Sequence, residues 1–562
     1  MRLTGGSPGR ILYKQSFFSR KKGLLAGLTG LATTALIGTT IVGVPPASAS
    51  STETVIVTAS GLLSPVTAVT EVLGTVLAKF HIINGVEASI PTALEPVLAA
   101  LPGITVTPDV PVSVQSTVES TGPHTPSDAF LQQTGATQLF ANGDTGQGVT
   151  VAVLDTGIDN LPDFAGRLIG GVDLTGANNP FQDSYGHGTF VAGLIAGNGA
   201  SSGGSGGSGG QYEGEAPGAD LVSVKVAGAT GQTDLATVIQ GVQWAVDNEL
   251  AYNIRVLNMS LGFQPFQSTV VNPLDQAVQA AWNAGIAVVA SAGNAGPSNG
   301  TIMSPGDDPL VITVGALDDM AQPVVADDEM TNFSSAGPTS PDGWVKPDLV
   351  TSGRSVVSLA APGSTIYNQN PSARIGPGNF VGSGTSFSTA ITSGAAALIL
   401  SANPRLTPDE LKARLLGTTS PGPVGNPFVD GHGALNAYAA ANSAPMNLSQ
   451  SVAGAVLTLL GATVSLSPVA SLANTWNPNI WSGVSWPQGS GGNTSWNGSA
   501  WNGSAWNGFT WSSHAWNDGG WAGADWNGSA WAGAAWDGTT WQGSMWAGAA
   551  WNGNAWNASE WN

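Results

Sequence analysis

The sequence predicts an α/β fold, a parallel sheet flanked by helices, with a small α+β domain ahead of it and a low-complexity or solenoid-like repeat tail behind. Three observations predict this. Between 122 and 442, short β-branched runs with almost no charge (149–154, 221–226, 256–260 and 286–290) alternate with helical stretches. Runs of that kind suit parallel strands buried on both faces. Between 54 and 112, strand-like runs at 55–57, 80–83 and 104–106 are interleaved with helical stretches at 65–77 and 92–101, a small α+β pattern. Beyond 476, tryptophan recurs at a period of five.

Composition narrows the function classes. The chain has 562 residues, a formal net charge of −20, 9% charged residues and no cysteine. Its 42% hydrophobic content is enough for a core, and its length for more than one domain. Zero cysteine excludes disulfides, thiolate nucleophiles and Cys-ligated metals. The acidic balance argues against nucleic acid, which requires clustered Lys and Arg.

The first residues carry the marks of export. Arg2, Arg10, Lys14, Arg20, Lys21 and Lys22 form a basic segment without an acid, an uncharged stretch runs from 23 to 44, and small residues around Ala47 and Ala49 offer a cleavage site. A signal peptide over 1–49 is expected, implying a secreted or extracellular, or cell-surface-associated, protein. An uncleaved anchor is the alternative, because the apolar stretch is long enough to span a bilayer. The α+β domain then occupies 50–121, the α/β domain 122–442 and an uncharged linker 443–475. A Gly/Ser run at 201–210 reads as a surface insertion.

The tail, 476–562, holds seventeen of the twenty tryptophans. In a strand, residues five apart face opposite sides, and in a helix they spiral round the cylinder. A four-sided coil would make every Trp equivalent; an unfolded Gly/Ser/Asn-rich chain with exposed indoles is the other reading. The tail's charges are Asp518, Asp525, Asp537 and Glu560, with no Lys or Arg. Spaced indoles suit stacking on sugars, so a cell envelope or polysaccharide is the expected partner.

Three motifs in the α/β domain carry chemistry. Asp155 ends a buried strand in Val153-Leu154-Asp155-Thr156-Gly157. His187 stands between two glycines at a helix start in Gly186-His187-Gly188-Thr189, and Ser386 follows a Gly-rich turn at another helix start in Gly384-Thr385-Ser386-Phe387-Ser388. In open α/β sheets, strand C-termini and helix N-termini converge, so all three can meet. Singly, Asp155 reads as a turn residue and Ser386 as a helix cap. His432, also between glycines, competes with His187. Together, in the order Asp, His, Ser, the motifs make the chain resemble the subtilisin-like serine proteases, whose chain order is a standard worked case.

The resemblance implies a subtilisin-like parallel sheet and a serine endopeptidase acting through an acyl-enzyme. His187 would take the proton of the Ser386 hydroxyl, and Asp155 would fix the imidazole tautomer. It implies Asn294, in Ser291-Ala292-Gly293-Asn294, as oxyanion donor beside the Ser386 N–H. Ser260-Leu261-Gly262 would pair with the substrate backbone and form one wall of the pocket for the residue before the scissile bond, with Ala292 and Gly293 in the other. Residues 228–233 resemble the edge strand across the bound peptide. Met303 resembles the pocket floor, where many relatives have glycine. The 50–121 block resembles the family's inhibitory propeptide, a partner of the site until self-cleavage between about 110 and 125.

Three positions depart from the pattern. Phe387 stands where relatives carry Met, Ala390 where they carry Pro, and the acid-free insertion at 201–210 lies where many carry a calcium loop. No cofactor is required by the chemistry; structural calcium is not expected at the insertion, although Asp163 and other acids offer ligands elsewhere. Two further function classes stay open at this point: a surface interaction protein whose protease serves only its own maturation, and an inactive relative. Protein or peptide substrates are the partners the resemblance implies.

Overall fold

The computed structural model describes residues 51–114, 125–202 and 211–444, together with short strands between 456 and 547. The expected signal segment, most of the expected linker and most of the Trp repeat lie outside the described residues.

The N-terminal domain is a four-stranded antiparallel sheet with two short helices. In chain order these are β1 (Thr52–Ala59), α1 (Pro65–Glu71), β2 (Thr75–Phe80), β3 (Gly85–Pro91), α2 (Glu95–Ala99) and β4 (Ile104–Pro108), with the strands in the order β2-β3-β1-β4. The sequence expected one helix to run from 65 to 77, but α1 ends at Glu71. Its Ser64 cap and Pro65 start it in the usual way. Leu73 takes a left-handed φ of 59° and the Gly74 N–H closes back on the Val69 carbonyl at 2.9 Å, which ends the helix, and the chain then pairs as β2. Leu73 and Leu77, the residues that made the helical pattern, are exposed. Of the strand expected at 80–83, only Phe80 is extended, as the end of β2; 81–84 form a turn, and β3 follows. A further strand, β5 (Pro111–Val114), leaves this domain altogether.

The larger domain opens with short helices α3 (Phe130–Gln133) and α4 (Ala136–Ala141). Then come β6 (Thr150–Asp155), β7 (Leu168–Asp173), α5 (His187–Ala196), β8 (Asp220–Lys225), β9 (Gln232–Asp234), α6 (Leu235–Asp247), α7 (Glu249–Tyr252), β10 (Ile254–Met259) and β11 (Leu261–Gly262). After these follow α8 (Pro273–Asn283), β12 (Ala287–Ser291), β13 (Ile312–Asp318), β14 (Glu329–Met330), β15 (Leu349–Ser352) and β16 (Val356–Leu359). Then come α9 (Thr365–Gln369), β17 (Arg374–Ile375), β18 (Asn379–Gly382) and α10 (Thr385–Ala402). The central sheet has eight strands, in the order β14-β13-β12-β10-β6-β8-β7 with β15 on β13, and every pair but β13–β14 is parallel.

The four runs picked from sequence are β6, β8, β10 and β12, and they are contiguous in the middle of this sheet. Their residues are almost wholly buried because helices cover both faces. α10 is apolar and long enough to cross a bilayer, yet it is buried against α5, β10 and β13. It is the core helix of this domain.

Burial creates two charged clusters that the sequence reading did not single out. Lys346 and Lys412 both reach Asp348 Oδ2, at 2.6 and 3.1 Å, and both donate to the Val311 carbonyl. Burial pulls Lys346 down to about 8, while the lysines hold Asp348 below its usual range against its own burial. His432 bonds the Asp348 carbonyl and belongs to this cluster.

The second cluster is Asp275, Asp307 and Asp308, all buried. Burial first, and then Asp308, raises Asp307 to about 8, and the few donors near it lower it too little to offset this. A carboxyl whose folded pKa lies above its unfolded one stabilises fully only below the unfolded value, near 3.8, and that contribution is lost as pH rises through about 8. The denaturation midpoint of the Ser386→Ala chain is therefore expected to fall between pH 5 and pH 9. Asp307→Asn should flatten that fall, which urea titrations at four pH values would read directly.

Candidate active site

Asp155 is the last residue of β6, at the C-terminal edge of the sheet, and it is buried. A buried carboxylate needs donors, and it has them. Its Oδ1 accepts from the Thr156 N–H at 2.8 Å and from His187 Nδ1 at 2.8 Å, with Oδ2 at 2.9 Å from the same nitrogen. His187 begins α5 directly after Gly186, whose φ is 106°. The close approach needs glycine on the other side as well: a Cβ at Gly188 would strike the Gly157 carbonyl and press on Asp155.

A buried Asp183 holds this corner together. It accepts from the Gly186 N–H at 2.7 Å, the Thr189 N–H at 2.8 Å and Thr156 Oγ1 at 2.8 Å, and Thr156 Oγ1 in turn accepts from the Gly188 N–H at 2.9 Å. Burial raises Asp183 and these donors lower it. The sequence reading gave Asp183 no role. The signal available was an aspartate three residues ahead of a glycine that opens a helix, the arrangement of a cap.

With Nδ1 committed to Asp155, the other nitrogen, His187 Nε2, is buried and has no hydrogen-bond partner. The His187 ring lies 5.7 Å from the ring of Phe387, the residue after Ser386, and Phe387 stacks in turn on Phe190 at 4.3 Å. The aromatic departure from the pattern thus packs beside the imidazole.

Ser386 is the second residue of α10 and is buried. Its Oγ donates to the Ser260 carbonyl at 3.0 Å, and Ser260 Oγ donates back to the Ser386 carbonyl at 2.9 Å. Ser260, expected to hold substrate, is therefore also a brace for α10. Asn294 lies on the other side. Its Oδ1 accepts from the Thr385 N–H at 3.0 Å and Thr385 Oγ1 at 2.9 Å, which sets the amide's orientation and leaves Nδ2 as the group it can offer. Thr385 Oγ1 also accepts from the Gly293 N–H at 3.2 Å, a positioning contact the sequence reading missed.

The two edges expected to flank a peptide are both present, and a strand already lies between them. β5 pairs antiparallel with β11 (Ser113 with Gly262, Val114 with Leu261) and with β9 (Val112 with Thr233, Ser113 with Gln232). The Val114 N–H also donates to the Gly231 carbonyl at 3.1 Å. Beyond β11, the Met303 N–H donates to the Ala292 carbonyl at 2.9 Å. The Met303 side chain fills the space that a Cβ at Gly293 would need, and Met303 Cβ lies near the position a Gly262 Cβ would take.

Among the described residues, no group of three or more His, Asp or Glu is placed to hold a metal ion. Asp163, the acid singled out as a calcium ligand away from the insertion, is buried and bonded to the Ser201 N–H and hydroxyl. Both lone histidine rivals are resolved by position: His432 sits on Asp348, and His187 on Asp155.

A largely parallel sheet with an Asp–His pair at the C-terminal end of one strand and a serine at a helix start is the arrangement of a serine-type endopeptidase. The subtilase family profile matches residues 146–462, and the chain belongs to that family. It is 43% identical over 329 residues to serine protease AprX of Bacillus subtilis, covering 57% of this chain and 71% of that protein. Subtilisin E of the same organism is 36% identical over 315 residues, 55% of this chain and 70% of that protein. Subtilisin Savinase of Lederbergia lenta is 35% identical over 298 residues, 53% of this chain and 92% of the relative.

Proposed function

We propose that this chain is a secreted endopeptidase that cuts its own N-terminal domain free, using Asp155, His187 and Ser386. The observation that carries the reading is β5, a segment of the chain itself held as the middle strand between β9 and β11. A peptide bound by main-chain pairing on both edges is presented by its backbone, with side chains adding selectivity. The β5 strand runs into the cleft toward Ser260, the residue bonded to Ser386. Self-cleavage thus follows Val114, within the window before about 125.

In the chemical step, the Ser386 hydroxyl leaves the Ser260 carbonyl and turns to His187 Nε2, which accepts its proton as Oγ attacks the peptide carbonyl. Hydroxyls in unliganded sites are commonly out of line in this way. Asp155 holds Nδ1–H and stabilises the imidazolium. The developing oxyanion takes hydrogen bonds from Asn294 Nδ2 and the Ser386 N–H. The imidazolium then protonates the leaving amine, and water, activated by the same histidine, hydrolyses the acyl-enzyme.

Wild-type secreted protein should show a new N-terminus beyond Val114 by intact mass and N-terminal sequencing, and should turn over casein. Ser386→Ala should do neither, and Asn294→Ala should lower kcat/KM by roughly 10²–10³. Self-cleavage without casein turnover would favour the surface-protein reading.

Met303 stands between the two glycine-lined walls and makes the specificity pocket shallow. Small or medium residues before the scissile bond are expected to be preferred in a peptide-library profile, with Met303→Gly widening the preference toward aromatics. A strong Phe or Tyr preference in the wild type would refute this.

The Trp repeat is assigned to holding the enzyme at an envelope polysaccharide, on the strength of its evenly spaced indoles and the lack of any Lys or Arg. Ser386→Ala protein should co-sediment with wall material, and deletion of 476–562 should abolish that. Equal sedimentation of both forms would remove the assignment.

A further inference from the structure

The seam between the N-terminal domain and the catalytic domain has an apolar part and an acidic part. Ile56, Phe80, Ile83 and Val112 are buried in the same apolar cluster as the catalytic domain's own core, a contact that does not depend on pH. The acidic part gathers at the start of α6. Asp234 caps that helix, its Oδ1 accepting from the Thr237 N–H at 2.7 Å. Asp109, from the N-terminal domain, caps the same turn by accepting from the Ala236 N–H at 2.9 Å, while the Val110 carbonyl accepts from Leu235 at 3.0 Å. Glu87 on β3 interacts electrostatically with both aspartates. Two carboxylates therefore share one helix N-terminus, with a third beside them.

Resting on the self-processing reading above, we propose that these three carboxylates make the N-terminal domain's hold on the cleft pH-dependent, tight in acid and loosening toward neutral pH. Helix N–H groups and the dipole compensate one negative charge well; the second and third are compensated less, and they repel one another. Desolvation, and after it the neighbouring acids, raise both Asp109, to about 6, and Glu87. The backbone donors at Ala236 and Leu235 pull Asp109 the other way and lose to burial.

The sign follows from linkage. Asp109 holds its proton more strongly when docked than when released, where its pKa is near 3.8. The stabilisation is therefore full below about 3.8 and is lost as pH rises through about 6. Asp109 is partly exposed, so solvent screening shrinks the effect from the roughly hundredfold that two pKa units imply to about tenfold.

The other titratable groups on this seam are Lys79, whose carbonyl accepts from Gln243, and His81, whose Nε2 lies 2.9 Å from Asp247 Oδ1. The His81–Asp247 contact lies on exposed side chains, away from the α6 cap. The consequence is a zymogen that keeps its plug in an acidic medium and sheds it once the medium is neutral.

The test uses the full-length Ser386→Ala chain, in which nothing is cut, and reads hydrogen exchange of the β5 amides and of Leu235 and Ala236. Central-sheet amides serve as the control for global opening. After correction for intrinsic rates, the opening constant at pH 8 should be about threefold or more that at pH 5, part of the tenfold effect being already spent below pH 5. Asp109→Asn, which keeps an oxygen for the Ala236 N–H, should flatten this ratio. Glu87→Gln, away from the cap, should reduce it independently.

A parent ratio near one overturns the proposal, as does a ratio that survives both carboxylate substitutions or falls only with His81→Gln. If the wild-type enzyme shows no self-cleavage by mass, the processing reading fails separately, whatever the exchange data give.

Discussion

The site depends on one buried interaction, the contact of Asp155 with His187. A carboxylate at the end of a fully buried strand costs several kcal/mol unless its oxygens are satisfied, and the imidazole Nδ1–H at 2.8 Å does much of that work. The requirement dictates the local chain. Gly157 and Gly188 let strand end and helix start approach within contact, and Asp183 takes the Gly186 and Thr189 amides at the helix start while the histidine reaches Asp155. The same demand sets the chemistry, because a histidine tied at Nδ1 presents Nε2 as its basic nitrogen.

A second constraint is the pair of open strand edges, β9 and β11. Unpaired edges attract strands. In this chain the nearest supply is β5, tethered by its own N-terminal domain, so the cleft is filled from within. A tethered strand gains from effective concentration what it lacks in contact area. The seam that holds the tether combines apolar packing at Phe80 and Val112 with the carboxylates of Asp109, Asp234 and Glu87.

Much of the central architecture was legible because parallel, doubly covered strands leave an unambiguous trace: β6, β8, β10 and β12 are short, β-branched and nearly free of charge. The three chemical motifs were legible for a related reason, since glycines flanking His187 and preceding Ser386 mark close approaches. The N-terminal domain was read less well. Periodicity placed a helix through Leu73 and Leu77, but Leu73 turns left-handed and the Gly74 N–H closes on the Val69 carbonyl, so the residues beyond pair as β2. β5 left no local trace, being four residues long and opened by proline; it is a strand only because two distant edges hold it.

The sequence alone determined the composition limits, the order Asp155, His187, Ser386, and the strand end and helix starts on which they lie, because burial on both faces and tight turns write themselves into residue choice. Tertiary structure alone decided which groups share a partner. It joined Lys346, Lys412 and His432 around Asp348, crossed the Ser260 and Ser386 hydroxyl bonds, and brought Asp109 and Glu87 up to the Asp234 cap of α6. Those contacts link residues far apart in the chain through orientation and desolvation, and neither leaves a pattern along one dimension.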